Sequence, residues 1–93
     1  MQLSDRAPGL VLGDGVAFGD DVRLGAHVVI HDGTVVGDGC EIQDGAVLGK
    51  PPKLARHSTA SGTVSPLVIE AGAVVCCGAI VFAGARIGRG TSA

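Results

Sequence analysis

The sequence predicts an all-β fold, a parallel β-helix with one extended loop, and three observations carry that prediction. Aliphatic residues recur at a period of six along most of the chain. Glycine supplies 16 of the 93 residues, more than twice the usual share of about 7%. Tryptophan and tyrosine are absent and phenylalanine occurs only twice, although 46% of the residues are hydrophobic. The interior is therefore filled by small aliphatics between many turns. No three-residue glycine period runs through the chain, which excludes collagen. With 17% charged residues, the composition is not that of a disordered segment.

Residues 1–11 read as a lead-in. Over residues 12–53 seven hexads follow in strict phase, with Leu12, Phe18, Leu24, Ile30, Val36, Ile42 and Leu48 at the aliphatic position. Four residues after each comes a small or β-branched residue (Val16, Val22, Val28, Thr34, Cys40 and Ala46), until Pro52 breaks the series. Glycine follows the aliphatic position directly at 13, 19, 25, 37 and 49, with His31 and Gln43 as the exceptions. An even period keeps the aliphatic and the small residue on one strand face. Recurring Asp-Gly pairs supply the left-handed backbone that a corner requires. Residues 54–68, rich in Ser, Thr, Gly and Ala, read as a loop leaving one corner, because Leu48 and Ile69 are 21 residues apart and the register slips. The period then resumes over 69–93 at Ile69, Val75, Val81 and Ile87. Short strands joined by corners stack about 4.8 Å apart along the axis of a solenoid.

The same composition bounds function. A net charge of −2 and a near absence of aromatics give no basis for nucleic-acid binding. The longest uncharged stretch, Ala71 to Ala85, has 15 residues, short of the roughly 20 that a spanning helix needs. The first residues lack a charged segment followed by an apolar one, so no secretory signal is read. Three cysteines, two of them adjacent, do not make a disulfide framework. A cytoplasmic protein without a membrane partner is the expectation. Gly45 to Lys50 resembles a phosphate-binding glycine loop only superficially, since the spacing is one residue short and Pro51 stands where Ser or Thr is required.

Candidate functional residues gather at the interruption. Lys50, Lys53 and Arg56 are three of the seven basic residues and lie beside His57, with Pro51-Pro52 stiffening the segment. Such a cluster suits phosphate groups. With 18 residues per coil, His31 stacks between Gly13 and Gly49, in an open slot where an imidazole can act as general base. Asp32 belongs to the Asp-Gly corner series. His27 is read as outward-facing, and Cys40 as a buried hydrophobe.

These hexads resemble those of the hexapeptide-repeat transferases, whose pattern is an aliphatic, a small or acidic residue, two variable residues, a small residue and one more. The resemblance covers residues 12–92. It implies a left-handed β-helix, with three hexads per triangular coil and active sites between the subunits of a homotrimer. Periodicity alone does not supply the hand, and general crossover rules favour the opposite one. The run Leu48-Gly-Lys-Pro-Pro-Lys53 resembles the corresponding stretch of N-acetyltransferases acting on nucleotide-linked amino sugars. The resemblance thus implies acetyl-CoA as acyl donor, a small-molecule acceptor, no metal, His31 as catalytic base, and Lys50, Lys53, Arg56 and His57 as substrate- or CoA-binding residues. Two alternatives accompany it. One is a metalloenzyme resembling the γ-class carbonic anhydrases, using His27, His31 and His57; the other is a non-catalytic solenoid module. Because solenoid ends require caps and the hexad starting at Ile87 has none after it, the chain is expected to be the N-terminal part of a longer protein.

Overall fold

An aliphatic residue every sixth position can point inward throughout only if the chain turns through the same angle after each short strand. The computed structural model describes residues 2–4, 7–51 and 65–93, and in them that turning is regular. The strands are β1 (Gln2–Ser4), β2 (Leu10–Leu12), β3 (Ala17–Phe18), β4 (Arg23–Leu24), β5 (Val29–Ile30), β6 (Val35–Val36), β7 (Glu41–Ile42), β8 (Val47–Lys50), β9 (Val68–Ile69), β10 (Val74–Val75), β11 (Ile80–Phe82) and β12 (Arg86–Ile87). From β2 onward each strand pairs in parallel with the third strand after it. This gives the series β2-β5-β8-β11, β3-β6-β9-β12 and β4-β7-β10, the three sides of a triangular coil. The fold is the left-handed parallel β-helix, all-β, as the repeat and its resemblance predict.

Register follows the hexads. Val11 and Leu12 pair with Val29 and Ile30, which pair in turn with Val47 and Leu48. The backbone bonds Val11 N→Val28 O and Val29 N→Ala46 O, at 2.9 and 3.0 Å, tie successive coils. Across the interruption the paired residues are 33 apart, as in Val35 with Val68 and Val47 with Ile80, and beyond it the spacing is 18 again, as in Val68 with Arg86. The interruption therefore inserts fifteen residues at one corner and leaves the stacking order intact. At the N-terminal edge β1 runs antiparallel to β2, with Leu3 opposite Val11.

Inside, the aliphatic positions form stacked columns. Ile30, Val36, Ile42, Leu48, Ile69 and Val75 are buried, as are Val28, Thr34, Cys40, Ala46 and Ala73 at the small position. Two boundaries differ from the sequence reading. Leu67 is fully buried and Val68 already belongs to β9, so the solenoid resumes inside the 54–68 segment read as loop. Likewise Leu10 is fully buried and opens β2, within the 1–11 lead-in. The physical reason is common to both. A small inward slot lies two residues before each aliphatic residue, as Val28 does before Ile30 and Cys40 before Ile42, and here leucine fills that slot.

Several corners are β-turns closed by a bond in which the residue after the aliphatic accepts from the residue three positions on. Examples are Thr34 N→His31 O and Ala46 N→Gln43 O, both 3.4 Å, and Thr91 N→Gly88 O at 3.2 Å. The third turn residue needs positive φ. Gly33 and Gly45 supply it (φ 74° and 73°), whereas Asp21 and His27 occupy the equivalent place at φ 58°. Aspartate at the second turn residue reaches to the coil below. Asp32, Asp38 and Asp44 accept through Oδ1 from the backbone N–H of Asp14, Asp20 and Ala26, at 2.8, 2.8 and 2.7 Å. Without these side chains the corner N–H groups would have only solvent as partner.

The last described coil carries one ion pair. Glu70 accepts from Arg86 Nε at 2.6 Å and from the backbone N–H of Arg89 at 3.2 Å. The Arg86 hydrogen bond and charge, followed by the lesser contribution of Arg89, hold the Glu70 carboxyl below its usual range. A lowered folded-state pKa means that the contribution to stability is present above the ordinary carboxylate range. It fades as pH falls through the lowered value. Arg86 is 67% exposed, so solvent screening keeps the effect small. Arg86→Ala should move the Glu70 titration upward in an NMR pH series, and an unmoved titration would refute the assignment.

Candidate functional site

One position in each hexad separates structural from available side chains. This is the residue directly after the aliphatic, where Gly13, Gly19 and Gly25 face the corner aspartates of the next coil. A Cβ on Gly25 would fall on the Asp44 carboxylate oxygen, 2.6 Å from Asp44 N and 2.9 Å from the carbonyl carbon of Gln43. Gly13 and Gly19 meet Asp32 and Asp38 in the same way. Glycine is thus required wherever an aspartate reaches down from above.

At three places where the next coil has no aspartate a side chain returns to this position, whereas Gly37, below Ala71, stays glycine because a Cβ there would lie 2.7 Å from Ala71 N and 2.9 Å from Ile69 O. Gln43 lies below Cys77, and its Oε1 accepts from Cys77 N at 3.1 Å. Glu70 lies below Arg89 and accepts from Arg89 N at 3.2 Å. Both are upward-reaching caps that replace the missing aspartate. His31 lies below Lys50, and its side chain makes no hydrogen bond among the described residues. Of the three, His31 is the one whose functional group is left unused by the fold.

Its surroundings form a cleft of about 480 Å³ lined by His31, Asp32, Gly33, Gly49, Pro51, Pro66 and Ala83. Pro51 and Pro66 are the described residues flanking the insertion, so the cleft lies at the insertion's mouth. Gly49 keeps the slot open. Its φ is +73°, an added Cβ would fall on Thr34 Oγ1, and the His31 Cβ lies 3.6 Å from that point. A register irregularity sits here as well, with Val81 opposite Leu48 but Phe82 opposite Lys50. The bulged backbone re-aims the strand end beside the cleft. Thr34, fully buried, donates its hydroxyl to the His31 carbonyl at 2.9 Å. That bond and Thr34 N fix the backbone from which the imidazole projects.

Of the residues singled out in sequence, His31 is half-buried in this cleft and Lys50 is exposed at the end of β8. Lys53, Arg56 and His57 lie outside the described residues. Asp32 has its Oδ1 on Asp14 N, which makes it a corner residue. His27 is exposed and stands over Gly9, at a positive-φ corner. Among the described residues no three His, Cys, Asp or Glu side chains converge as metal ligands. Cys40 is buried, with its thiol 3.1 Å from the Glu70 carbonyl. Sequence reading missed Gln43 and Glu70 as caps. The signal was a long polar residue below a corner that lacks aspartate.

Residues 15–50 match the family model described as bacterial transferase hexapeptide (six repeats). The matched stretch contains His31, Gly49 and Lys50. The match supports a hexapeptide-repeat β-helix, a class that includes acyltransferases. No curated protein and no solved structure matches the chain. Among the described residues no helix is long and apolar enough to cross a membrane.

Proposed function

We propose that the protein transfers an acyl group, in the first instance acetyl from acetyl-CoA, to the amino group of a small acceptor such as a nucleotide-linked amino sugar. The observation that carries this reading is the His31 imidazole, half-buried in an open cleft and unused by the fold. In the reaction His31 takes the proton from the acceptor amine as nitrogen attacks the thioester carbonyl. The C–N bond forms, negative charge gathers on the carbonyl oxygen, and collapse expels the coenzyme A thiolate. Backbone N–H groups are the natural stabilisers of that oxygen. Lys50, and with it Lys53, Arg56 and His57, would serve the phosphates of donor or acceptor, the lysines as point charges and the arginine as a bidentate donor.

A homotrimer belongs to this proposal. The outward column of the β2-β5-β8-β11 sheet is Val11, Val29, Val47 and Ile80, with no charge, and Ile80 is 55% exposed. The sheet through β4, β7 and β10 instead presents Arg23 and Glu41. His31 follows β5 directly, so a neighbour seated on the apolar sheet would close one side of the cleft. Isothermal titration of the assembled protein with coenzyme A and with nucleotide-sugars tests the reading. Saturable binding is expected, weakened about two- to fivefold by Lys50→Ala, as for an exposed charge contact. Absence of binding by either ligand class would overturn it.

A further inference from the structure

The corner between β10 and β11 departs from every aspartate-bearing corner in the fold. Cys76 and Cys77 occupy the first two turn positions, closed by Ala79 N→Cys76 O at 3.1 Å, with Gly78 at φ +69°. Both thiols are free and exposed. Cys77 stands where Asp32, Asp38 and Asp44 stand in other coils, yet the fold does not depend on its side chain. No N–H in the coil below is held by it, and its own N–H is held by Gln43. Its thiol is 3.5 Å from Gln43 Oε1, a weak contact. A cleft of about 400 Å³ opens beside it, lined in part by Arg23, Glu41, Gln43 and Asp44.

Two adjacent thiols cannot easily bond to each other. Consecutive Cα atoms are about 3.8 Å apart, below the separation of about 4.4 Å at which disulfides begin. A single larger atom placed between the two sulfurs removes that constraint. With no third metal-ligating side chain alongside among the described residues, the corner suits a thiophilic centre that takes two sulfur ligands from the protein and brings its own third substituent. We propose that Cys76 and Cys77 form a dithiol site for trivalent organoarsenicals. An arsenoso group reacts with the two thiols so that two As–S bonds form. The arsenic–oxygen bond breaks, and the oxygen leaves as water with both thiol protons; arsenic stays trivalent. This corner is separate from that of His31 and does not depend on the acyl-transfer reading.

The test uses phenylarsine oxide on the whole chain, read by intact mass and by counting remaining free thiols. One phenylarsenic per chain is expected, with two thiols lost. The adduct should survive excess monothiol and be released by a dithiol. Cys76→Ser and Cys77→Ser should each lose retention against monothiol by about 10²-fold or more, the gain expected from a second intramolecular contact. Cys40→Ser should retain it, because Cys40 is buried. Cys77→Ala serves in place of the serine variant should that fail to fold. Equal monothiol sensitivity of the unmodified chain and the single variants, or an adduct that requires Cys40, would overturn the proposal.

Discussion

His31→Ala is expected to lower acyl transfer by about 10²–10⁴-fold, the usual contribution of a positioned general base, while leaving the melting temperature within a few degrees. The second half of that expectation follows from the structure, since the imidazole makes no hydrogen bond among the described residues. Gln43→Ala supplies the reverse case at the equivalent hexad position. It removes the acceptor for Cys77 N, and so should cost about 0.5–1.5 kcal/mol of stability with transfer unchanged. Steady-state kinetics beside thermal melts separates the two. Transfer that survives His31→Ala at full rate would remove His31 from the chemistry. A large stability loss in the same variant would show a structural role instead.

Gly25→Ala is expected to destabilise by about 2–4 kcal/mol, combining overpacking with loss of a capped N–H. The melting temperature should fall by on the order of 10 °C or more. The new methyl would displace the Asp44 carboxylate, which accepts from Ala26 N at 2.7 Å, and would press on the Asp44 and Gln43 backbone. Gly15→Ala is the comparison. Nothing lies within 4 Å of its Cβ position and only its φ of +69° resists, so a cost of about 1–2 kcal/mol is expected. Urea unfolding of both variants decides it. Equal losses would mean that close approach to aspartate is not what fixes glycine at position 25.

Much of this was legible in the residues, for identifiable reasons. Inward aliphatics such as Ile30, Val36 and Ile42 repeat every six because each side of the three-sided coil carries one of them, so the fold could be read from one period. The placement of His31 beside Gly49 followed from stacking that period three deep. Less legible was why glycine stands at 13, 19 and 25. The cause is an aspartate nineteen residues further on in each case, a relation between coils that no six-residue window contains. Leu10 and Leu67 escaped because their size disguised the small slot they fill. Lys53, Arg56 and His57 lie in the inserted segment, where no repeat constrains position, and sequence pattern assigns only their charge.

The cross-coil caps also have a direction in time. For Asp14, Asp20 and Ala26 the N–H belongs to the earlier coil and the carboxylate to the later one. A chain emerging from the ribosome therefore leaves its first corners open until the following coil has been made. Beyond the insertion the order reverses, because Gln43 and Glu70 are already in place when Cys77 and Arg89 appear. The early coils mature by waiting for what comes next, whereas the later corners close against acceptors already made.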